Sequence, residues 1–204
     1  MPPTILLMAK APRPGLVKTR LAAQIGSAEA TNIYRRLVER QIRDLPTGWP
    51  LEVHFAPADA GVEMRAWLGA RPNFVPQVDG DLGARLSAAF DHAFAQGART
   101  AIAIGGDCPE LGTDDFHQAA GVLQRKDVVL GPACDGGYYL IGLRGPAPFL
   151  FTDMPWSTPE VLSVTVDRLE QAGLSLDLLG VKEDVDDSAS MWRAASRLGI
   201  KRAD

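Results

Sequence analysis

The sequence, 204 residues long, is poor in the residue types that most often carry chemistry alone. Its two cysteines, Cys108 and Cys134, have no Cys-x-x-Cys spacing, which argues against a disulfide framework and a cysteine-built zinc site. Its three histidines, His54, His92 and His117, form no triad or ligand spacing, so hydrolase and zinc chemistry have little support. Each histidine reads as a surface or partly buried side chain. No apolar run reaches transmembrane length, and none has the form of a secretory leader. Positive charge is not in excess: Lys and Arg number 21 against 25 Asp and Glu, for a formal net charge of −4. We therefore expect a cytoplasmic, reduced protein with no nucleic-acid or membrane surface. Neither Gly-x-x-x-x-Gly-Lys-Ser/Thr nor Gly-x-Gly-x-x-Gly occurs, which removes two common nucleotide folds.

What the chain does have is alternation. Strands are expected over residues 4–9, 51–56, 74–77, 100–104, 128–130, 138–143 and 176–181. Between them, apolar residues recur at helical spacing over 27–45, 62–68, 83–96, from an expected N-cap at Thr113 to about 124, and over 188–198. Thr158 followed by Pro159 predicts a further helix start, with the helix running to about residue 172. Residues 138–143 are expected to pair as a hairpin arm. No internal repeat or long linker divides the chain. The fold class is α/β, a mostly parallel Rossmann-like sheet covered on both faces, in one domain over residues 1–204.

Polar motifs fall just after expected strands, where open α/β sheets bind ligands. After the first strand, Lys10, Arg13, Lys18 and Arg20 crowd a turn containing Pro12, Pro14 and Gly15 that leads into an expected helix start. Cations and a helix N-terminus together suit a polyphosphate; a solvated basic turn is the plainer reading. Asp107, in Gly105-Gly106-Asp107-Cys108-Pro109, follows a buried strand, where a carboxylate either holds Mg²⁺ or caps the next turn. The acidic run 184–187 before the last helix is equally a metal ligand set or a helix cap. Gly80-Asp81-Leu82-Gly83-Ala84-Arg85 opens a helix, so Leu82 and Gly83 either face a base or ribose or make a packing turn. Asp135-Gly136-Gly137-Tyr138 reads as an acceptor or sugar contact, or as a plain Asp-Gly turn. Trp156 either stacks on an acceptor or anchors a lid.

Five ordered motifs carry a family resemblance. Pro14-Gly15-Leu16-Val17-Lys18-Thr19-Arg20-Leu21, Gly80-Asp81-Leu82-Gly83-Ala84-Arg85-Leu86, Gly106-Asp107-Cys108-Pro109, Asp135-Gly136-Gly137-Tyr138-Tyr139-Leu140-Ile141-Gly142 and Pro155-Trp156-Ser157-Thr158 span nearly the whole chain. They resemble a bacterial group of GT-A-like proteins, often labelled glycosyltransferases, within the nucleotide-diphospho-sugar transferase superfamily. The resemblance implies a GT-A fold that binds a nucleoside triphosphate or nucleotide sugar with Mg²⁺ or Mn²⁺. Lys18-Thr19-Arg20-Leu21 is similar to the Lys-Ser-Arg-Leu of phospholactate guanylyltransferases, where the basic loop serves the triphosphate. Asp107 matches the strand-end metal aspartate of sugar-nucleotide pyrophosphorylases. Val185-Asp186-Asp187 resembles the Val-Asp-Thr of CMP-Kdo synthetases, whose aspartate is a second metal ligand; the departure at the third residue leaves Asp186 and Asp187 as alternatives.

The resemblance therefore implies that Lys18, Arg20 and Asp107 are catalytic and that Asp107 and Asp186 bind metal. Lys10, Arg13, Gly15, Leu82, Gly83, Asp135, Gly136, Gly137, Tyr138 and Trp156 are the expected substrate contacts. Nucleotidyl transfer to a small phosphorylated or acidic acceptor is preferred, because several cations suit a departing pyrophosphate. The acceptor is expected beside residues 135–139 and Trp156, on the side of the crevice away from Lys18. Glycosyl transfer and a non-catalytic nucleotide-binding module are the alternatives, since one fold supports many activities.

Overall fold

Apolar runs of three to seven residues are short enough to cross a sheet once and too short to form stable helices alone. In the computed structural model, which describes residues 1–200, they become the strands of one seven-stranded sheet. In chain order the elements are β1 (Thr4–Lys10), α1 (Thr19–Ile25), α2 (Ser27–Arg43), β2 (Leu51–Ala56), α3 (Gly61–Leu68), β3 (Asn73–Pro76), α4 (Leu82–Ala95) and β4 (Ala101–Ile104). They continue with α5 (Thr113–Leu123), β5 (Val128–Pro132), β6 (Tyr138–Leu143), α6 (Val161–Gln171), β7 (Leu176–Leu178), α7 (Ser188–Arg193) and α8 (Ala195–Leu198). The sheet order is β3-β2-β1-β4-β6-β5-β7. All neighbours are parallel except β6, which runs antiparallel to β4 and β5. Residues 201–204 of the expected single domain lie outside the described residues.

The alternation of side chains along each strand fills both faces. Ile5, Leu7, Val53, Ile102, Ile104 and Val129 pack beneath α2, α3 and α5. Leu6, Ala103, Leu130, Ile141 and Leu143 pack beneath α4 and α6, against Leu86, Phe90 and Leu169. A third cluster lies apart from the sheet: Leu21, Ile33 and Leu37 of α1 and α2 meet Val185, Met191 and Leu198 near the C-terminus. That cluster brings the far end of the chain back to the loop after β1.

Several expectations are corrected. Thr158 does not cap a helix; its hydroxyl donates to the Pro155 carbonyl and accepts from the Glu160 N–H, and α6 begins only at Val161. Thr113 is likewise inside α5 rather than its cap, and the Asp115 carboxylate accepts from the Gly112 N–H instead. The last helix is broken at Ala194 into α7 and α8. β7 ends at Leu178, and the chain rejoins the sheet only in a single bridge between Ala133 and Lys182. His54 is fully buried, its ring nitrogen 2.9 Å from the buried Glu52 carboxylate. Both project from the same face of β2, so each supplies the other's hydrogen bond away from water.

Gly142 shows how tightly the strand inserted between β4 and β5 is packed. A Cβ there would lie 2.7 Å from Val129, 3.0 Å from Leu123 and 3.2 Å from Ile102 side-chain atoms. Overpacking of this kind costs about 1–3 kcal/mol. Gly142→Ala is therefore expected to lower the melting temperature by roughly 2–4 °C per kcal/mol lost. A thermal melt indistinguishable from the wild type would show that this layer can open at no cost.

Candidate functional site

The chain leaves β1 toward β2 on one side and enters β4 on the other, so a crevice opens between the carboxyl ends of β1 and β4. Lys18 follows β1 and Asp107 follows β4. The Lys18 ammonium lies 2.7 Å from an Asp107 oxygen and 3.5 Å from an Asp186 oxygen, and it also donates to the Val185 carbonyl. Its side chain is only 5% exposed, whereas the two carboxylates are 43% and 47% exposed. Lys18 adopts φ +48°, ψ +46° at the N-cap of α1. Left-handed backbone is costly for a non-glycine residue. Here it accompanies a cation held inside the crevice. The Val185 N–H donates to the Asp107 carbonyl at 2.9 Å, and the Val185 side chain is locked in the third hydrophobic cluster. The Asp186 and Asp187 N–H groups donate to the Ser190 hydroxyl, so the backbone on both sides of Asp186 is fixed.

The two candidate aspartates of the acidic run separate by role. Asp186 joins the cluster around Lys18, and Arg20 stands 3.9 Å from its other oxygen. The Asp187 carboxylate instead caps α7, accepting the Ser190 N–H at 2.8 Å. Asp184, absent from the expected site residues, is also drawn in. Burial first, and then the Asp107 charge, push its carboxyl up to about 7, with Lys18 acting the other way. The signal was in the sequence: aspartates on both sides of a single valine, which the core then claims.

The basic loop does not assemble as a four-cation cradle. Arg13 turns to α3 and the residues before it, 2.9 Å from Glu63 and 3.6 Å from Asp59. Lys10 is exposed at the end of β1, where its backbone N–H and C=O both bond the Tyr34 hydroxyl. Gly15 provides φ +82° in an open turn. The helix that follows, α1, has seven residues and ends at Gly26.

Packing accounts for three of the other expected substrate contacts. A Cβ on Gly83 would come within 2.2 Å of the Phe151 carbonyl oxygen and 3.0 Å of the Trp156 indole nitrogen. Gly83 and Trp156 therefore fit each other. Trp156 also meets Tyr138 edge to face, with ring centroids 6.5 Å apart. Gly136, at φ +90°, leaves room for the Pro159 backbone, which would be 2.3 Å from a Cβ. Its carbonyl accepts the Leu162 N–H as α6 begins. Asp135 accepts the Gly137 N–H within the turn, and its charge is felt at Asp184.

Beside Asp107 is a cavity of about 170 Å³ lined by side chains that include Met8, Leu82, Leu86, Tyr138, Tyr139 and Asp184. Cys108 also lines it, but burial pushes its thiol up to about 12, which removes it as a nucleophile at neutral pH. Among the described residues no group of three or more His, Cys, Asp or Glu side chains is arranged to hold a metal. The pair Asp107 and Asp186 does converge on one point. That donor set fits Mg²⁺ or Mn²⁺ in a nucleotide site, where one or two carboxylates are joined by phosphate oxygens and water.

No helix among the described residues is long and apolar enough to cross a membrane. The chain matches over residues 42–158 the family described as an uncharacterized protein conserved in bacteria, DUF2064. No curated protein matches it in sequence. A provisionally assigned nucleotide-diphospho-sugar transferase from Desulfovibrio desulfuricans G20 is 32% identical, with 98% of this chain and 94% of that chain aligned at a TM-score of 0.87. A CMP-2-keto-3-deoxy-manno-octonic acid synthetase in complex with CTP shares the fold at 14% identity and TM-score 0.62, covering 98% and 99% of the two chains. Rv0371c from Mycobacterium tuberculosis H37Rv, in complex with manganese, does so at 15% identity and TM-score 0.53, covering 94% and 97%. The chain belongs to the DUF2064 family and, through its fold and its Desulfovibrio relative, to the nucleotide-diphospho-sugar transferase superfamily.

Proposed function

We propose that the protein is a metal-dependent cytoplasmic transferase that moves the nucleotidyl group of a nucleoside triphosphate onto a small-molecule acceptor. One observation carries this reading: a buried lysine after β1 and two half-exposed aspartates, one after β4 and one before α7, meet at the sheet's switch-point crevice. Phosphoryl and nucleotidyl chemistry is mostly positioning and charge neutralisation, and these are the groups it uses. Asp107 and Asp186 hold Mg²⁺ or Mn²⁺, which neutralises phosphate charge when bound. Lys18 and Arg20 bind the phosphates, with Lys10 and Gly15 at the loop's outer edge. Arg13, paired with two acids, has no part in the phosphate contact unless it leaves them. In the transfer, an acceptor oxygen bonds to the α-phosphorus as the bond to pyrophosphate breaks, and the acceptor's proton is lost to solvent.

Glycosyl transfer is the second reading, favoured by the assignment of the Desulfovibrio relative as a nucleotide-diphospho-sugar transferase. The leaving group separates the two. A nucleoside triphosphate that yields pyrophosphate supports nucleotidyl transfer; a nucleotide sugar that yields nucleoside diphosphate, with no pyrophosphate from any triphosphate, overturns it. Incubation of each donor class with Mg²⁺ and a bacterial metabolite extract, read by mass spectrometry, gives the result.

The Lys18 substitution has a two-sided consequence. Lys18→Ala is expected to weaken nucleoside triphosphate binding by about 1–3 kcal/mol, the scale of a charge-assisted hydrogen bond. Arg20→Ala, at an exposed position, should cost less. The same Lys18→Ala change removes the ammonium that competes for Asp107 and Asp186, so Mn²⁺ alone should bind more tightly, as read by electron paramagnetic resonance. Unchanged nucleotide affinity in both variants would return the loop to a solvated basic turn.

A further inference from the structure

Asp107 and Asp186 are close enough to share one ammonium, that of Lys18. On the proposed reading Lys18 leaves both for phosphate, and two neighbouring carboxylates with nothing between them repel. Their separation is then set by the backbone that carries them. On one side of Asp186 the Val185 N–H donates to the Asp107 carbonyl, which ties the acidic run to the end of β4. On the other side a single hydroxyl does the work. Ser190 Oγ accepts the Asp186 N–H at 3.0 Å and the Asp187 N–H at 3.1 Å, and it donates to Asp187 Oδ1 at 2.8 Å. A hydroxyl has one proton and two lone pairs, so its whole capacity is used. Ser190 is buried, which keeps water from taking over either bond. In a capping box the third helical residue is usually Glu or Gln, which reaches back to the N-cap N–H. The shorter serine holds that N–H and the one before it as well, so the bond extends to the metal-site aspartate.

The rest of α7 keeps that hydroxyl in register. The Ser188 N–H donates to the Gln24 side chain of α1 at 2.7 Å. Arg193, one turn beyond Ser190, forms a two-pronged ion pair with Glu183 at 2.6 and 2.8 Å. Met191, between them, is buried in the third hydrophobic cluster. The helix thus clasps the acidic run at Glu183 and at Asp186, and α1 holds the start of the helix. We infer that Ser190 is a positioning residue for the metal pair: its hydroxyl sets where Asp186 stands relative to Asp107, and through that the affinity for a divalent cation. The inference rests on the metal site of the transferase reading and adds a residue that acts only through the Asp186 backbone.

Mn²⁺ alone, titrated into the full chain and read from the free-ion signal in electron paramagnetic resonance, tests this without turnover. Each Ser190 change is made in the wild type and in Lys18→Ala, which lacks the competing ammonium. Ser190→Ala should weaken Mn²⁺ about ten- to a hundredfold, the scale for losing a group that orients a metal ligand. Ser190→Thr keeps the hydroxyl and should stay near the parent protein. Gly142→Ala, which strains the sheet at β6, should lower the melting temperature and leave Mn²⁺ affinity unchanged. Thermal melts check every variant, and Ser190→Cys, with similar volume and a poor acceptor, takes the place of Ser190→Ala if the latter does not fold. Unchanged Mn²⁺ affinity without the hydroxyl, or an equal loss in Ser190→Thr or Gly142→Ala, would overturn the inference and leave the metal site standing. If neither the wild type nor Lys18→Ala binds Mn²⁺, the metal reading itself fails and the positioning role falls with it.

Discussion

One ammonium between two carboxylates organises this molecule's crevice. Lys18, Asp107 and Asp186 come from three places far apart in the chain, and each is held by packing rather than by its own neighbours. The Tyr34 hydroxyl grips both backbone groups of Lys10 at the end of β1, which fixes where the basic loop begins. The hydrogen bond from Val185 to the Asp107 carbonyl ties the C-terminal segment to the end of β4. The third hydrophobic cluster, built from α1, α2, α7 and α8, holds the Val185 side chain beneath that contact. That cluster adds to the Ala133–Lys182 bridge in returning the acidic run to the sheet. The N- and C-terminal parts of the chain thus complete a site whose middle comes from the family-matched segment.

Local charge balance then sets what the crevice attracts. Asp107, Asp184 and Asp186 stand around one buried lysine, with Arg20 mostly in solvent. Negative charge is in excess there, and the Asp184 carboxyl is held up to about 7 by burial first and by the Asp107 charge second. On the proposed reading a divalent cation would relieve that excess and free the lysine for phosphate, so that metal and nucleotide belong together. The cavity beside Asp107 is lined by apolar side chains together with Asp107 and Asp184.

Much of this was legible in the sequence. Strand periodicity gave the sheet, and the placement of Lys18 and Asp107 directly after buried strands located the crevice. The hairpin expected at residues 138–143 is present, with β6 inserted between β4 and β5. Other features depended on tertiary contacts that no local pattern encodes. Arg13 looked like its neighbours in the basic loop until Asp59 and Glu63 arrived from the segment after β2. Gly83, Gly136 and Trp156 looked like ligand contacts because glycine and tryptophan serve both ligands and packing; their partners, Phe151 and Pro159, are remote in sequence. Asp186 and Asp187 could not be told apart until the Ser190 N–H claimed the second as a cap. His54 was misjudged because its partner, Glu52, lies two residues away on the same strand face, a spacing that is invisible to a search for triads.

The most direct test is a crystal structure with Mn²⁺ and a non-hydrolysable nucleoside triphosphate, with the metal located by its anomalous scattering. Manganese is expected between the Asp107 and Asp186 carboxylates, with the Lys18 ammonium moved from them onto the phosphates. Manganese elsewhere, or a nucleotide bound while Lys18 still bridges the two aspartates, would contradict it.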